Sequence, residues 1–339
     1  MVNPQEGAPH ASLKVALLSD ELTRSCLAPE CTVIDVPASG FARLLRESRP
    51  DMLLVESAWH GLDSTWKYKI ASYPGYMLRS NRRLRKLVKV ARDLRIPTVF
   101  WNKEDGVHFD RFIASARLFD HVFTVDENCV PRYRAIVDPG TTVGVLPFPV
   151  QPRHHNFTGF NFCTHDANFV GSYSTHIHDA RRAWQHMAFS AVRESRMALT
   201  IYDRNSDRSS QIYRYPEWDG MVVRPAVPHA QTAQIYKDHL ISLNVNTVTD
   251  SPTMVSRRLV EILACGGIAV TSAACSVEAM FRDFCHVITA PEDARALFER
   301  LRHGPSSEDL DRAREGAAHV AQHHTWAQRL EVVAAAAGL

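Results

Sequence analysis

The stretch DSPTMVSRRLVEILACGGIAV, residues Asp250–Val270, puts anion-binding side chains and one carboxylate on a short helix that stops at glycines and runs into a buried strand. Ser251, Pro252 and Thr253 are residue types that cap and open helices. Free backbone N–H groups and the positive end of the dipole are therefore expected to face whatever lies before this helix. Such an end suits an anion. Leu259, Ile262 and Leu263, with Met254 or Val255, share an apolar side, Arg257, Arg258 and Glu261 take the other faces, and Gly266-Gly267 ends the helix. Cations beside a carboxylate that can accept from hydroxyls suit a nucleoside diphosphate.

Outward from this stretch the chain alternates strand and helix. Leu13–Ser19, Val33–Val36, Met52–Glu56, Thr98–Trp101, His121–Val125 and Val143–Leu146 are short β-rich runs separated by helical patterns, which predicts a doubly wound parallel sheet over residues 1–150. Pro147, Pro149, Pro152 and the polar stretch His154–Asp166 read as a linker, 151–166. A second alternation fills 167–305. Its strands are Asn168–Gly171, Met197–Tyr202, Leu240–Val245, Ile268–Thr271 and His286–Thr289, and its helices lie near Ile177–Glu194, Ala230–Asp238, Met254–Cys265 and Pro291–Leu301. Two Rossmann-like α/β domains facing a central cleft are expected to bind ligands at the carboxyl ends of their strands. The remaining residues, 306–339, read as helical.

Composition sets bounds. A chain of 339 residues suits two domains, and 39 Lys+Arg against 37 Asp+Glu give a formal charge of +2, which predicts no nucleic-acid partner and an anion site built locally. No run approaches the roughly 18 apolar residues of a membrane span, and the polar Met1–His10 has no signal-peptide core, so the expectation is a cytoplasmic protein. Seven cysteines in apolar surroundings and without a C-x-x-C pair read as reduced core thiols.

Three ordered motifs resemble one family. The run Thr253-Met254-Val255-Ser256-Arg257-Arg258 with Glu261 and Leu263-Ala264-Cys265-Gly266-Gly267 is similar to the nucleotide-sugar-binding helix of the CgeB-like (spore maturation protein type) glycosyltransferases, a branch of the GT-B enzymes. Trp101-Asn102-Lys103-Glu104-Asp105 and Phe119-Asp120-His121-Val122-Phe123-Thr124-Val125-Asp126 resemble that family's W-N-K-E-D-P and F-D-x-V-F-T-x-D signatures, and Asn168–Tyr173 resembles the first strand and turn of its second domain. The likeness runs from about residue 95 to about residue 300, and it implies that the C-terminal helices, 306–339, pack back on the first domain. Gly106 stands where the family usually has proline, and Thr253 where many retaining GT-B enzymes carry the first glutamate of an E-x7-E pair, which leaves the stereochemistry open.

On this reading Glu261 accepts from ribose hydroxyls, the alternative being a solvated helix residue paired with Arg257. Arg257 and Arg258 clamp a diphosphate, with at most one of them needed at the ligand. Ser251, Thr253, Met254 and Ser256 line the helix start, plain capping being the rival role of the hydroxyls. Gly171, Ser172 and Tyr173 follow a strand where backbone N–H groups can approach a phosphate. Asn244 and Asn246 reach donor hydroxyls or cap a loop, and Asp203 and Arg204 border the base pocket. For the acceptor, Glu104, Asp105 and His108 after the strand Thr98–Trp101, and Asp126 after the next, are the candidate base, because an attacking hydroxyl must lose a proton. Asp105 and Asp126 have loop or helix capping as the alternative.

Other features read as background. Arg79, Arg82, Arg83, Arg85, Lys86, Lys89, Arg92 and Arg95 form the basic side of a helix over 79–95, a solvated face or else a peripheral contact with an anionic surface at the inner face of the membrane. The pairs His176/His178 and His319/His323 lack a companion ligand at diagnostic spacing, and Asp203 and Asp207 are no D-x-D, so no metal site and no cofactor are expected. The resulting expectation is a metal-independent glycosyltransferase of hexosyltransferase type. It would pass a sugar from a nucleotide-diphosphate donor to a hydroxyl acceptor: a glycan, a lipid-linked sugar, a protein or a small molecule. The rivals are a catalytically inactive nucleotide-sugar-binding or scaffold protein and a nucleotide-sugar epimerase.

Overall fold

The structure, a computed structural model, describes residues 2–76 and 78–339. It divides into two compact units, Met1–Gln151 with Thr325–Leu339, and Pro152–His324.

The first unit is built on six parallel strands: β1 (Lys14–Leu18), β2 (Thr32–Asp35), β3 (Met52–Glu56), β4 (Thr98–Asn102), β5 (His121–Thr124) and β6 (Thr142–Val145). Their order is β2-β1-β3-β4-β5-β6. Every residue of β3 and β4 is buried, as befits central parallel strands covered on both faces. The helix Arg82–Asp93 buries Leu84, Leu87, Val88 and Ala91 against this sheet's core and turns most of its basic residues to solvent. The last helix, Trp326–Ala337, opens with a capping box between Thr325 and Gln328, sets Trp326 edge-on to Trp101 at 5.5 Å, and donates from Arg329 Nε to Pro147 O at 2.8 Å.

The second unit has its own six-stranded parallel sheet: β7 (Thr164–Gly171), β8 (Leu199–Asp203), β9 (Met221–Pro225), β10 (His239–Asn244), β11 (Ile268–Thr271) and β12 (His286–Val287), in the order β12-β11-β10-β7-β8-β9. The chain winds outward from β7 to β9, then returns to place β10 on the other side of β7. That reversal makes the β7/β10 boundary the topological switch point, where open α/β sheets bind ligands.

Four expectations are corrected. Thr164–Asp166 belongs to β7 rather than to a linker. The edge strand β9 reads as loop in the sequence because four of its five residues are exposed and it ends in proline. Of the residues after 306, the helix Ser307–His323 lies in the second unit and only Trp326–Ala337 lies in the first. The helix after β10 spans Arg257–Ala264, so Met254 and Val255 precede it. No helix among the described residues is long and apolar enough to cross a membrane.

Candidate functional site

At the β7/β10 switch point the side chains fall into a supporting set and an anion-facing set. Asn244 is fully buried, donating to Thr271 Oγ1 at 2.8 Å and accepting from Arg258 Nη1 at 3.2 Å. Asn246 accepts from Ser256 N at 2.9 Å, so its carboxamide rather than a hydroxyl ties down the start of the helix Arg257–Ala264. Ser256 stands at the N-cap with no side-chain capping bond. Ser251 accepts from the N–H groups of Thr253 at 3.3 Å and Met254 at 3.0 Å, shaping the preceding turn instead of capping the helix. Tyr173 packs against Tyr215, pairs its hydroxyl with His186 Nε2 at 2.9 Å and lines the cavity that Arg181 borders.

The cations gather more closely than the sequence indicates. Arg258 donates from Nε to Val170 O and lies over the Phe169 ring, 4.5 Å from its centroid. Gly171 makes room for it, since a Cβ there would meet the Phe169 ring and stand 3.0 Å from Arg258 Nη2. Arg181, on the helix Asp179–Glu194, donates from Nη2 to Ser172 O at 2.9 Å, while its enclosed Nε has no partner. Burial and the neighbouring charges of Arg181 and Arg204 push Arg258 down to about 10, and burial with Arg204 lowers Arg181 too. Among the described residues no carboxylate forms an ion pair with Arg181 or Arg258. Clustered cations left uncompensated are unfavourable without a ligand and favourable with an anion between them. A cavity of about 210 Å³ opens beside them, lined by Ser172, Ser174, Arg181, Arg182 and Arg208 among others. Asp203 and Arg204 end β8; Asp203 lines a second cavity of about 600 Å³, and burial raises its pKa.

Glu261 is neither solvated nor paired with Arg257 alone. It is 5% exposed, forms an ion pair with Arg257 Nε at 3.2 Å and accepts from His229 Nε2 at 2.7 Å, and thereby joins the segment after β9 to the helix. Burial opposes its charge, but the hydrogen bond from His229 and the adjoining cations outweigh that and hold its pKa at about 2. It is an ionised acceptor.

In the first unit, Glu104 and His108 keep partial exposure, whereas Asp105 and Asp126 are enclosed. Asp105 is 0% exposed and accepts from Asn102 Nδ2 at 2.7 Å and Tyr133 Oη at 2.8 Å. Burial raises its pKa to about 7 despite bonds from Thr124 and Tyr133. Asp126 caps the turn Glu127–Cys129 by accepting from Asn128 N at 3.0 Å. Lys103 is committed to the buried Glu56, at 2.8 Å. Of these four side chains, Glu104 and His108 are the two that solvent reaches.

The raised pKa of Asp105 carries a stability prediction. A carboxyl whose folded pKa lies above its unfolded value holds its proton more tightly in the folded state, so stability is highest below the unfolded value near 4 and falls as pH rises toward about 7. The fall attributable to Asp105 is about 2–4 kcal/mol. Thermal unfolding from pH 4.5 to 8 should show a decline in the wild type that Asp105→Asn largely removes; parallel curves would contradict it.

Residues 181–335 match the family described as glycosyl transferase-like. The fold is GT-B. Among solved structures, the DNA modifying enzyme β-glucosyltransferase superposes with a TM-score of 0.56 at 10% identity, covering 96% of this chain and 99% of its own. An α-glucosyltransferase in complex with UDP and a 13-mer DNA gives 0.57 at 12% identity over 87% and 82%, and sucrose-phosphate synthase from Thermosynechococcus elongatus gives 0.53 at 11% over 98% and 86%. No curated protein sequence matches. On this GT-B scaffold three residues escape a reading of the sequence: Arg181, hidden inside a helical pattern; His229, in the segment after the unrecognised β9; and His155, within the supposed linker.

Proposed function

We propose that the protein is a glycosyltransferase that takes a sugar from a nucleotide-diphosphate donor bound at the second unit's switch point and passes it to a hydroxyl acceptor. The carrying observation is the convergence of Arg181, Arg204 and Arg258 at the carboxyl ends of β7 and β8 and the start of the helix Arg257–Ala264, with Arg181 and Arg258 lacking a carboxylate partner. An anion of high charge density supplies what these groups lack, and a diphosphate leaving group gains charge as the glycosidic bond breaks, so the same cations favour the transition state. Glu261, buried and ionised next to this cluster on the same helix, accepts from ribose. The glycosyl transferase-like match over 181–335 supports the donor half of this reading, and the α-glucosyltransferase in complex with UDP and the β-glucosyltransferase with the substrate uridine diphosphoglucose agree with it. The CgeB-like resemblance and a hexosyl donor extend it.

In the first unit, Glu104 takes the proton of the attacking hydroxyl, with His108 as the second group in reach of solvent. The diphosphate is neutralised by arginine rather than by a bound cation, so adding EDTA to an acceptor-dependent assay should leave turnover within about two-fold. Loss of activity that magnesium or manganese restores would overturn this arrangement.

Glu261→Gln tests the ribose contact. The amide keeps the volume but loses the charge on which Arg257 and His229 converge, so calorimetric titration should give nucleotide affinity weaker by about one to two decades, alongside a lower melting temperature. An unchanged dissociation constant in a folded variant would remove Glu261 from the donor site. Acceptor-dependent release of nucleoside diphosphate distinguishes transfer from an idle binding protein, and an isomerised nucleotide sugar formed without acceptor would indicate an epimerase.

A further inference from the structure

Behind the donor helix the second unit holds His155 in a setting that its hydrogen bonds define closely. The ring is 1% exposed, and its Nε2 lies 2.8 Å from Thr232 Oγ1. That hydroxyl already gives its single proton to His229 O at 2.7 Å, so toward His155 it can only accept. The proton of His155 is therefore on Nε2, and Nδ1 presents a bare lone pair that is buried and without a partner.

The imidazole has companions. Ligand atoms of His155, His229 and Glu261 all lie within 4.8 Å of one another, and among the described residues this is the one group of three such side chains close enough to hold a metal ion. Two imidazoles and a carboxylate form a donor set suited to zinc or cobalt rather than to magnesium. An imidazole whose other nitrogen donates to an oxygen is the arrangement that orients histidine ligands. Zinc–ligand bonds of about 2.0–2.2 Å require the three side chains to close in by about 1 Å at most. Arg257 Nε and His229 Nε2 face the same carboxylate oxygen of Glu261, Oε1.

We propose that His155 Nδ1, His229 Nε2 and Glu261 form a binding site for a zinc-class divalent ion, and that the ion, by engaging Glu261, competes with the nucleotide donor. Binding displaces the proton that His229 Nε2 shares with Glu261 Oε1. The competition rests on the donor reading above; the metal site itself does not. None of its three ligands is an arginine that meets the diphosphate, so the ion inhibits rather than assists turnover.

The test uses cobalt(II) as the optical probe on the full chain after treatment with chelator. Wild-type protein should develop the intense visible absorption of a four- or five-coordinate cobalt centre, saturating at about one ion per chain and displaced by zinc. His155→Ala and His229→Gln should each lose it while keeping the circular dichroism of the wild type; should one fail to fold, the other decides. An equal spectrum in the wild type and in a folded variant would assign the metal to other histidines and overturn the site. Zinc at saturation should also weaken nucleoside diphosphate binding at least ten-fold in the wild type and leave it unchanged in His155→Ala. A cobalt signal lost in the variants together with zinc-insensitive nucleotide binding would overturn the competition alone. If no nucleotide binds, the donor reading fails and the cobalt spectra still decide the site.

Discussion

Arg258→Ala is expected to weaken nucleoside diphosphate binding by about two to three decades, the effect of removing a desolvated cation from a charged contact worth about 2–5 kcal/mol. The guanidinium is held in place by Val170 O, Asn244 Oδ1 and the face of Phe169, so it arrives at the ligand already oriented and loses little rotamer freedom on binding. Arg258→Lys should recover only part of the affinity, because an ammonium cannot hold the carbonyl and the carboxamide and also present a fork to the anion. Melting curves of both variants distinguish lost binding from lost structure. Since the wild-type cluster repels itself without ligand, neutralising one member should cost the free protein less stability than its three contacts alone imply.

The second large effect concerns the first unit. Glu104→Gln should lower turnover by roughly 100-fold to 10,000-fold with nucleotide affinity unchanged, as removal of a general base does. Asp105→Asn should act mainly on the pH dependence of stability, since its carboxyl is sealed beneath Asn102 and Tyr133. The neighbouring acids Glu104 and Asp105 thus separate by their environment. Full turnover in Glu104→Gln with loss in His108→Ala would transfer the base role to the imidazole.

Much of the architecture is legible in the sequence because parallel strands buried on both faces must be continuous apolar runs, as Met52–Glu56 and Ile268–Thr271 are. β9 escapes for the converse reason: as an edge strand it exposes Val222 and Val223 and needs no apolar continuity. The site was legible in part. Glu261 and Arg258 lie on one amphipathic helix and can be read by spacing, whereas Arg181 reaches the same place from another helix through Ser172. His155, His229 and Glu261 meet only through tertiary folding, so spacing rules for metal ligands do not find them. Asn246 takes the capping role, the second of its two readings, by serving the backbone of Ser256. Short polar side chains at helix starts satisfy orphan N–H groups as readily as they bind substrates.

The most direct measurement is calorimetric titration of the wild-type chain with a panel of nucleoside diphosphates, repeated on folded Arg258→Ala. The account predicts that at least one of them binds with about 1:1 stoichiometry, stabilises the fold by about 2.7 kcal/mol at one hundred times its dissociation constant, and loses about two to three decades of affinity in the variant. Absence of binding across the panel, or equal affinity in the wild type and the variant, would contradict a donor site at the β7/β10 switch point.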